Sequence, residues 1–240
     1  MTLWNPVYRV KANGSDVTGI TLTGFTISSG RKDINAFTEA GYCNLTLINT
    51  DNEYYSFTVN TAITIEVQDS NGDYVPLFGG RISDISYEVN SAGSTAVVTR
   101  INIIALGALF RLQRALFDGN LTEALDGGQI TQLLSELLLN NWNEVPPAET
   151  WATYPATTTW AQAEDVGLGE IDAGEYTMSS RQITDSYIST IANSIAQSAG
   201  GYLYEDANGN IGYADASHRQ DYLVANGYTD LDANHALSAG

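Results

Sequence analysis

Between residues 5 and 106 the chain reads as one strand after another: VYRVKANG, VTGITLTGFTISSG, GYCNLTLIN, AITIEVQDSNGDYVPLFGGRISDISYEVN and TAVVTRINIIAL. β-Branched and aromatic residues alternate with polar ones at the period of a half-buried strand, and Asn-Gly and Gly-Gly pairs punctuate the runs. About seven strands at short spacing, with almost no helix among them to cover a face, must close on themselves or pack as two sheets. A small antiparallel barrel or a sandwich is therefore expected for this part of the chain.

The period changes after Leu106. GALFRLQRALF fits a short helix or an extended crossover, and DGGQITQLLSELLLNNW sets Ile130, Leu133, Leu134, Leu137 and Leu138 on one helical face, which predicts a helix over 128–140. Residues 141–170 hold three of the five prolines and three of the four tryptophans. Proline forbids a continuous helix or ladder there, and Trp142, Trp151 and Trp160 need something to bury against, so this stretch reads as a loop pinned by its aromatics. ITDSYISTIANSIAQSAGG then repeats the helical period, with Ile183, Tyr187, Ile188, Ile191 and Ile195 on one side, Thr184 or Asp185 as the cap and Gly200 as the terminator. GYLYEDANGNIGYAD follows as a hairpin turning at Asn208-Gly209. From Gln220 onward the pattern is weak. The whole is an α+β chain, mainly β.

Composition excludes several classes of function. Ten basic residues against 28 acidic ones leave a formal charge of −18, which opposes phosphate binding through counterion release and sets aside a DNA reader. No run approaches the roughly 18 apolar residues that span a bilayer. The opening MTLWNPVYRV has no basic, apolar and small-residue succession of an export signal, so synthesis and assembly in the cytoplasm are expected. A single cysteine, Cys43, rules out a disulfide framework and reads as a small hydrophobe packed within a strand.

Chemistry-bearing patterns are few. Asp69–Asp73 and Asp206–Asn210 place oxygens at alternate positions as a calcium loop does, but neither continues to the glycine and glutamate of an EF-hand, and both sit where a hairpin turn is expected. His218 and His235 are the only histidines and match no zinc motif, while His218-Arg219 reads as a surface pair at a strand end. No nucleophile elbow, Walker loop or dinucleotide fingerprint is present. No cofactor and no metal are expected. A carboxylate pair working beside a sugar platform of Trp142, Trp151 and Trp160 is the one enzymatic or carbohydrate-binding alternative.

Several stretches, in order, resemble the hub-type minor tail proteins at the tail tip or baseplate of tailed bacteriophages. TISSGRKDINAFTEAGYCNLTLINTDNEYY is similar to the segment in which a strand, a Gly-Arg turn and an extended loop lead into a strand ending in Leu-x-Asn. VPLFGGRISDISYEV resembles the family's strand pair through Leu77, Phe78, Gly80, Arg81, Ile82 and Asp84. The helix, loop, helix ending in Gly-Gly and hairpin ending near Arg219 follow in the family's order.

The resemblance implies a structural virion protein without catalysis: a tube-like β-barrel over 1–107, an inserted α/β module over 108–219 and a return segment over 220–240. Three copies around the tail axis would form a ring that lets DNA pass and joins the tube and distal tail proteins to tape measure, spike or fibres. The family's second barrel would come from residues past Gly240 or from another polypeptide. A tube or adaptor subunit of the same machine is the nearer alternative. An acidic lumen suits such a channel, because it repels the phosphates that slide through it. The residues expected at subunit or partner contacts are Arg31, Lys32, Phe37, Arg81, Asp84, Trp151, Trp160, Tyr204, Tyr213 and Arg219.

Overall fold

The computed structural model describes residues 6–17, 20–33, 36–49, 57–91, 97–140 and 168–226. Trp142, Trp151, Trp160 and His235 lie outside them. The first part forms an antiparallel sheet of seven strands: β1 (Tyr8–Ala12), β2 (Ser15–Asp16), β3 (Ile20–Gly30), β4 (Glu39–Asn49), β5 (Ala62–Gln68), β6 (Tyr74–Ser91) and β7 (Val97–Leu106), in the order β2-β1-β5-β6-β7-β4-β3. The two strands at opposite ends of that order, β2 and β3, are consecutive in the chain and three residues apart. Three residues reach only about 13 Å when extended, so the sheet curls until its ends come together. Tyr8 of β1 meets Phe25 of β3 edge-on across this seam, with ring centroids 5.2 Å apart. No ladder joins β1 or β2 to β3 among the described residues.

Alternation decides what the curled sheet encloses. Cys43, Leu45 and Leu47 of β4, Ile63 and Ile65 of β5, Phe78 and Ile82 of β6, and Ile101 and Ile103 of β7 point to one side and are buried together. Cys43 is one of these hydrophobes, and burial pushes its thiol pKa up to about 12. Since only the thiolate attacks alkylating reagents, Cys43 should resist iodoacetamide at pH 8 in the folded protein and react once urea unfolds it. Rapid labelling of the native chain would place the thiol outside the core.

A second apolar cluster begins at Ala108. It is built from α1 (Leu109–Leu112), β8 (Leu116–Leu121), β9 (Ala124–Leu125), α2 (Asp126–Asn140), β10 (Leu168–Ile171), β11 (Thr177–Met178), β12 (Arg181–Tyr187), α3 (Ile188–Ala199), β13 (Tyr202–Glu205), β14 (Ile211–Ala214) and α4 (His218–Asn226). β13 and β14 form the expected hairpin, and β10 joins β14 in parallel to make a three-stranded sheet. β12 pairs with β8, and β11 with β9. Helix α2 buries Ile130, Leu133 and Leu134 against α3, which buries Ile188, Ile191, Ala192, Ile195 and Ala196. Helix α3 ends as expected at Gly200, whose φ of 73° puts it in the left-handed region, with Gly201 N–H returning to Ala196 O at 2.8 Å.

Three local expectations change. Residues 183–187 are strand and not the first turn of α3: Ile183 pairs with Gly119 and Tyr187 with Leu116, so Thr184 and Asp185 cap nothing. Tyr187 is the N-cap and makes no side-chain cap bond. The weak pattern after Gln220 is helical as far as Asn226, in α4, which begins at His218, and residues 227–240 lie outside the described ones. Asp215 caps it, accepting from Ser217 N–H at 2.9 Å and His218 N–H at 3.0 Å.

Candidate interaction site

The two apolar clusters meet where the β13–β14 hairpin lies against β4, β6 and the start of α1. Glu205, at the end of β13, turns its carboxylate into this junction: Oε1 accepts from Gly41 N–H and Oε2 from Leu109 N–H at 3.0 Å. A Cβ at Gly41 or Gly107 would collide with that carboxylate, so glycine at both positions opens the room it occupies. Thr38 Oγ1 donates to Leu203 O at 2.5 Å, tying the loop between β3 and β4 to the same strand. At the hairpin tip Asp206 Oδ1 accepts from Asn208 and Asn210 N–H, each at 2.9 Å, and Gly209 takes a φ of 84°. The tip sits on Gly79 of β6, where a Cβ would fall within 2.6 Å of Gly209 N and overlap the Asn208 carbonyl. Asp69 treats Asn71 and Asp73 in the same way, at 2.8 and 2.9 Å, so the first carboxylate of each suspected calcium loop is spent on its own turn.

Burial raises the Glu205 pKa above the usual carboxylate range, and the two backbone amides pull it part of the way back. The sign follows directly. A carboxyl with a higher pKa folded than unfolded binds its proton more tightly in the native state, so its contribution to stability grows as pH falls through the folded value. Glu205→Gln cannot titrate. The stability of the parent relative to this variant should therefore rise between neutral pH and about pH 4, measured by urea unfolding. A difference that shrinks on acidification would show a carboxylate stabilised, not strained, by its surroundings.

Around this junction gather several residues that the sequence singled out. Arg31 stacks its guanidinium over the Tyr202 ring at 4.5 Å, and Tyr202 meets Tyr204 with centroids 6.1 Å apart. Lys32 pairs with Glu39 at 2.7 Å, and Phe37, on the same loop, is 53% exposed. Arg81 and Asp84 belong to β6: Arg81 Nη1 donates to Asn60 O at 3.0 Å, and Asp84 is exposed. Trp151 and Trp160 lie outside the described residues, as does the side chain of Arg219.

Tyr213 is a correction. It is wholly buried, with its hydroxyl donating to Asp126 Oδ2 at 2.5 Å, so it cannot offer a rim to a partner. Alternation sends Tyr202 and Tyr204 outward from β13, while β14 lies between β10 and β13 and has all four residues buried. His218 is also reassigned: it opens α4 and pairs through Nδ1 with Asp172 at 2.8 Å. The residues that sequence reasoning missed are Glu205, Asp126 and the glycines facing them. An acid ending the aromatic run YLYE was the available signal.

No family model matches this sequence, and no curated protein matches it. Solved structures do. The 43 kDa tail protein of prophage MuSo2 from Shewanella oneidensis superposes with a TM-score of 0.53 at 15% identity, over 89% of this chain and 54% of that one. The fold is that of a phage tail protein. A second match is the E. coli c3393 protein, described as a component of the type VI secretion system with structural similarity to the T4 bacteriophage tail proteins gp27 and gp5; it has a TM-score of 0.49 at 10% identity, over 86% of this chain and 48% of that one. The chain thus spans about half the length of each. The tail-protein fold takes in both apolar clusters, since 89% of the chain cannot be matched by the sheet of residues 8–106 alone. Within that fold the glycines of LFGGRI acquire a reason: Gly79 receives the hairpin tip, and a Cβ at Gly80 would lie 2.5 Å from Leu106 O.

Proposed function

We propose that this chain is a structural subunit of a phage-type tail, acting as the hub of the tail tip. Three copies form a ring that connects tube and distal tail proteins to tape measure, spike or fibres and lets DNA through. The observation that carries the reading is the fold match running through both clusters, sheet and helical module together. The curled sheet suits a tube-like barrel over 1–107, with 108–219 as the module set upon it and 220–240 as the return segment; the two apolar clusters part between Ala105 and Ala108. A net charge of −18 suits a wall along which phosphates slide. The patch of Arg31, Phe37, Tyr202 and Tyr204 combines aromatic and arginine side chains, the types enriched where proteins meet, and is assigned to the contact with a neighbouring copy or tail protein.

The test is the mass of the purified chain by light scattering together with negative-stain images. Three-fold rings with an open centre are expected, alone or on adding the neighbouring tube protein. Compact monomers under both conditions would overturn the hub reading while leaving the fold intact.

A further inference from the structure

Strand β6 is far longer than its neighbour β5, and among the described residues no strand pairs with the excess on one side. β5 pairs with it up to Ala62↔Arg81, and the turn before β5 adds Ile82 N–H to Thr61 O at 3.0 Å and Asn60 N–H to Ile82 O at 2.7 Å. Beyond Ile82 no described strand lies on that side, while β7 continues along the other as far as Ser91↔Val97. Ile85, Tyr87 and Val89 stand on the core side of this stretch, opposite Ile103, Ile101 and Thr99. The apolar stripe runs from buried Ile101 and Ile103 out to Tyr87 and Val89, which are 47% and 65% exposed. Asp84, Ser86 and Glu88 occupy the other face, Glu88 beside Arg100 of β7 at 3.7 Å, and the stretch holds no lysine or proline of the kind that guards a sheet edge.

We infer that the edge of β6 over 83–89 takes an extended strand from a partner protein, one that alternates apolar residues with Lys or Arg. The chain itself displays the pattern. On β5, strand β1 (YRVKA) buries Val10 in the core while Arg9 and Lys11 both bond Glu66 on the opposite face, Arg9 also stacking on Tyr74 at 3.8 Å. An incoming strand of that composition would cover Tyr87 and Val89 and set its cations against Asp84 and Glu88. A second copy fits less well: its long edge strand β3, ITLTGFTISSG, has no Lys or Arg to set against Asp84 and Glu88. The inference does not rest on the tail reading, because edge, stripe and charge are properties of this chain alone.

The probe is a synthetic peptide, acetyl-TYRVKVT-amide, with acetyl-TYEVEVT-amide as its charge-reversed control, followed by calorimetry and backbone amide exchange. The basic peptide should bind and slow exchange over 83–89, the acidic one should not, and Asp84→Lys with Glu88→Lys should weaken binding by about tenfold. Tyr87→Ser should weaken it too, with thermal unfolding unchanged because the side chain is half exposed. Equal binding of both peptides, protection elsewhere, or no binding at millimolar peptide would overturn the proposal. So would self-association of the free chain that Tyr87→Ser abolishes, which would give the edge to a second copy.

Discussion

Asp126→Ala should cost about 3–5 kcal/mol of unfolding free energy, read as a lower urea midpoint at unchanged slope. The carboxylate is wholly buried in the first turn of α2. Oδ2 accepts from Tyr213 hydroxyl at 2.5 Å and Oδ1 from Tyr176 N–H at 2.8 Å, while Asp126 N–H returns to Tyr176 O at 3.0 Å. Alanine leaves the Tyr213 hydroxyl and the Tyr176 amide without their acceptor. Asparagine is the informative companion. Its oxygen can serve Tyr176 while its amide donates to the Tyr213 oxygen, whose hydroxyl can rotate, so Asp126→Asn should cost only about 1–2 kcal/mol. Equal losses for the two variants would mean that charge, not hydrogen-bond matching, holds the site.

Gly79→Val should cost about 3 kcal/mol, by overpacking against main chain on the far side. The atoms in the way are the Asn208 carbonyl and the Gly209 amide, and Gly209 in turn sits 2.8 Å from Gly79 O when given a Cβ of its own. Backbone cannot rotate aside as a side chain does, so the hairpin must lift from β6. Amide exchange should therefore quicken over residues 202–214 and change little in β4 and β7. Gly24→Ala is the control, since a Cβ there meets nothing within 4 Å, and it should stay within about 0.5 kcal/mol of the parent. Uniform loosening of the whole chain by Gly79→Val would argue that sheet and module unfold as one.

These two sites show where the sequence could be read and where it could not. Period two was legible in β3 to β7 because each strand turns one clean face to a shared core. The hairpin was legible because Asn208-Gly209 is local chemistry. Residues 183–187 were misread because Ile183, Tyr187 and Ile191 have helical spacing, while the evidence for a strand lies in the partner, β8, some 65 residues earlier in RALFDGNL. Tyr213 carried the same letter as Tyr202 and Tyr204, and only the position of β14 between two neighbours separates core from rim. Glu205 is the same lesson for charge: its partners are backbone amides, which have no side chain for a sequence to show.

The Glu205 carboxylate reaches Gly41 across 164 residues of chain. Closing so long a loop is entropically slow, and a chain emerging from the ribosome has β1 to β7 available well before the hairpin exists. The sheet is therefore expected to fold first around its own core, with the Gly41 amide and the flat of Gly79 still in water. They form a berth of polar backbone that a nascent sheet can carry without aggregating, as an exposed apolar patch could not. The hairpin that completes it lies far later in the chain, so the two halves are expected to be set against each other only after the sheet has formed.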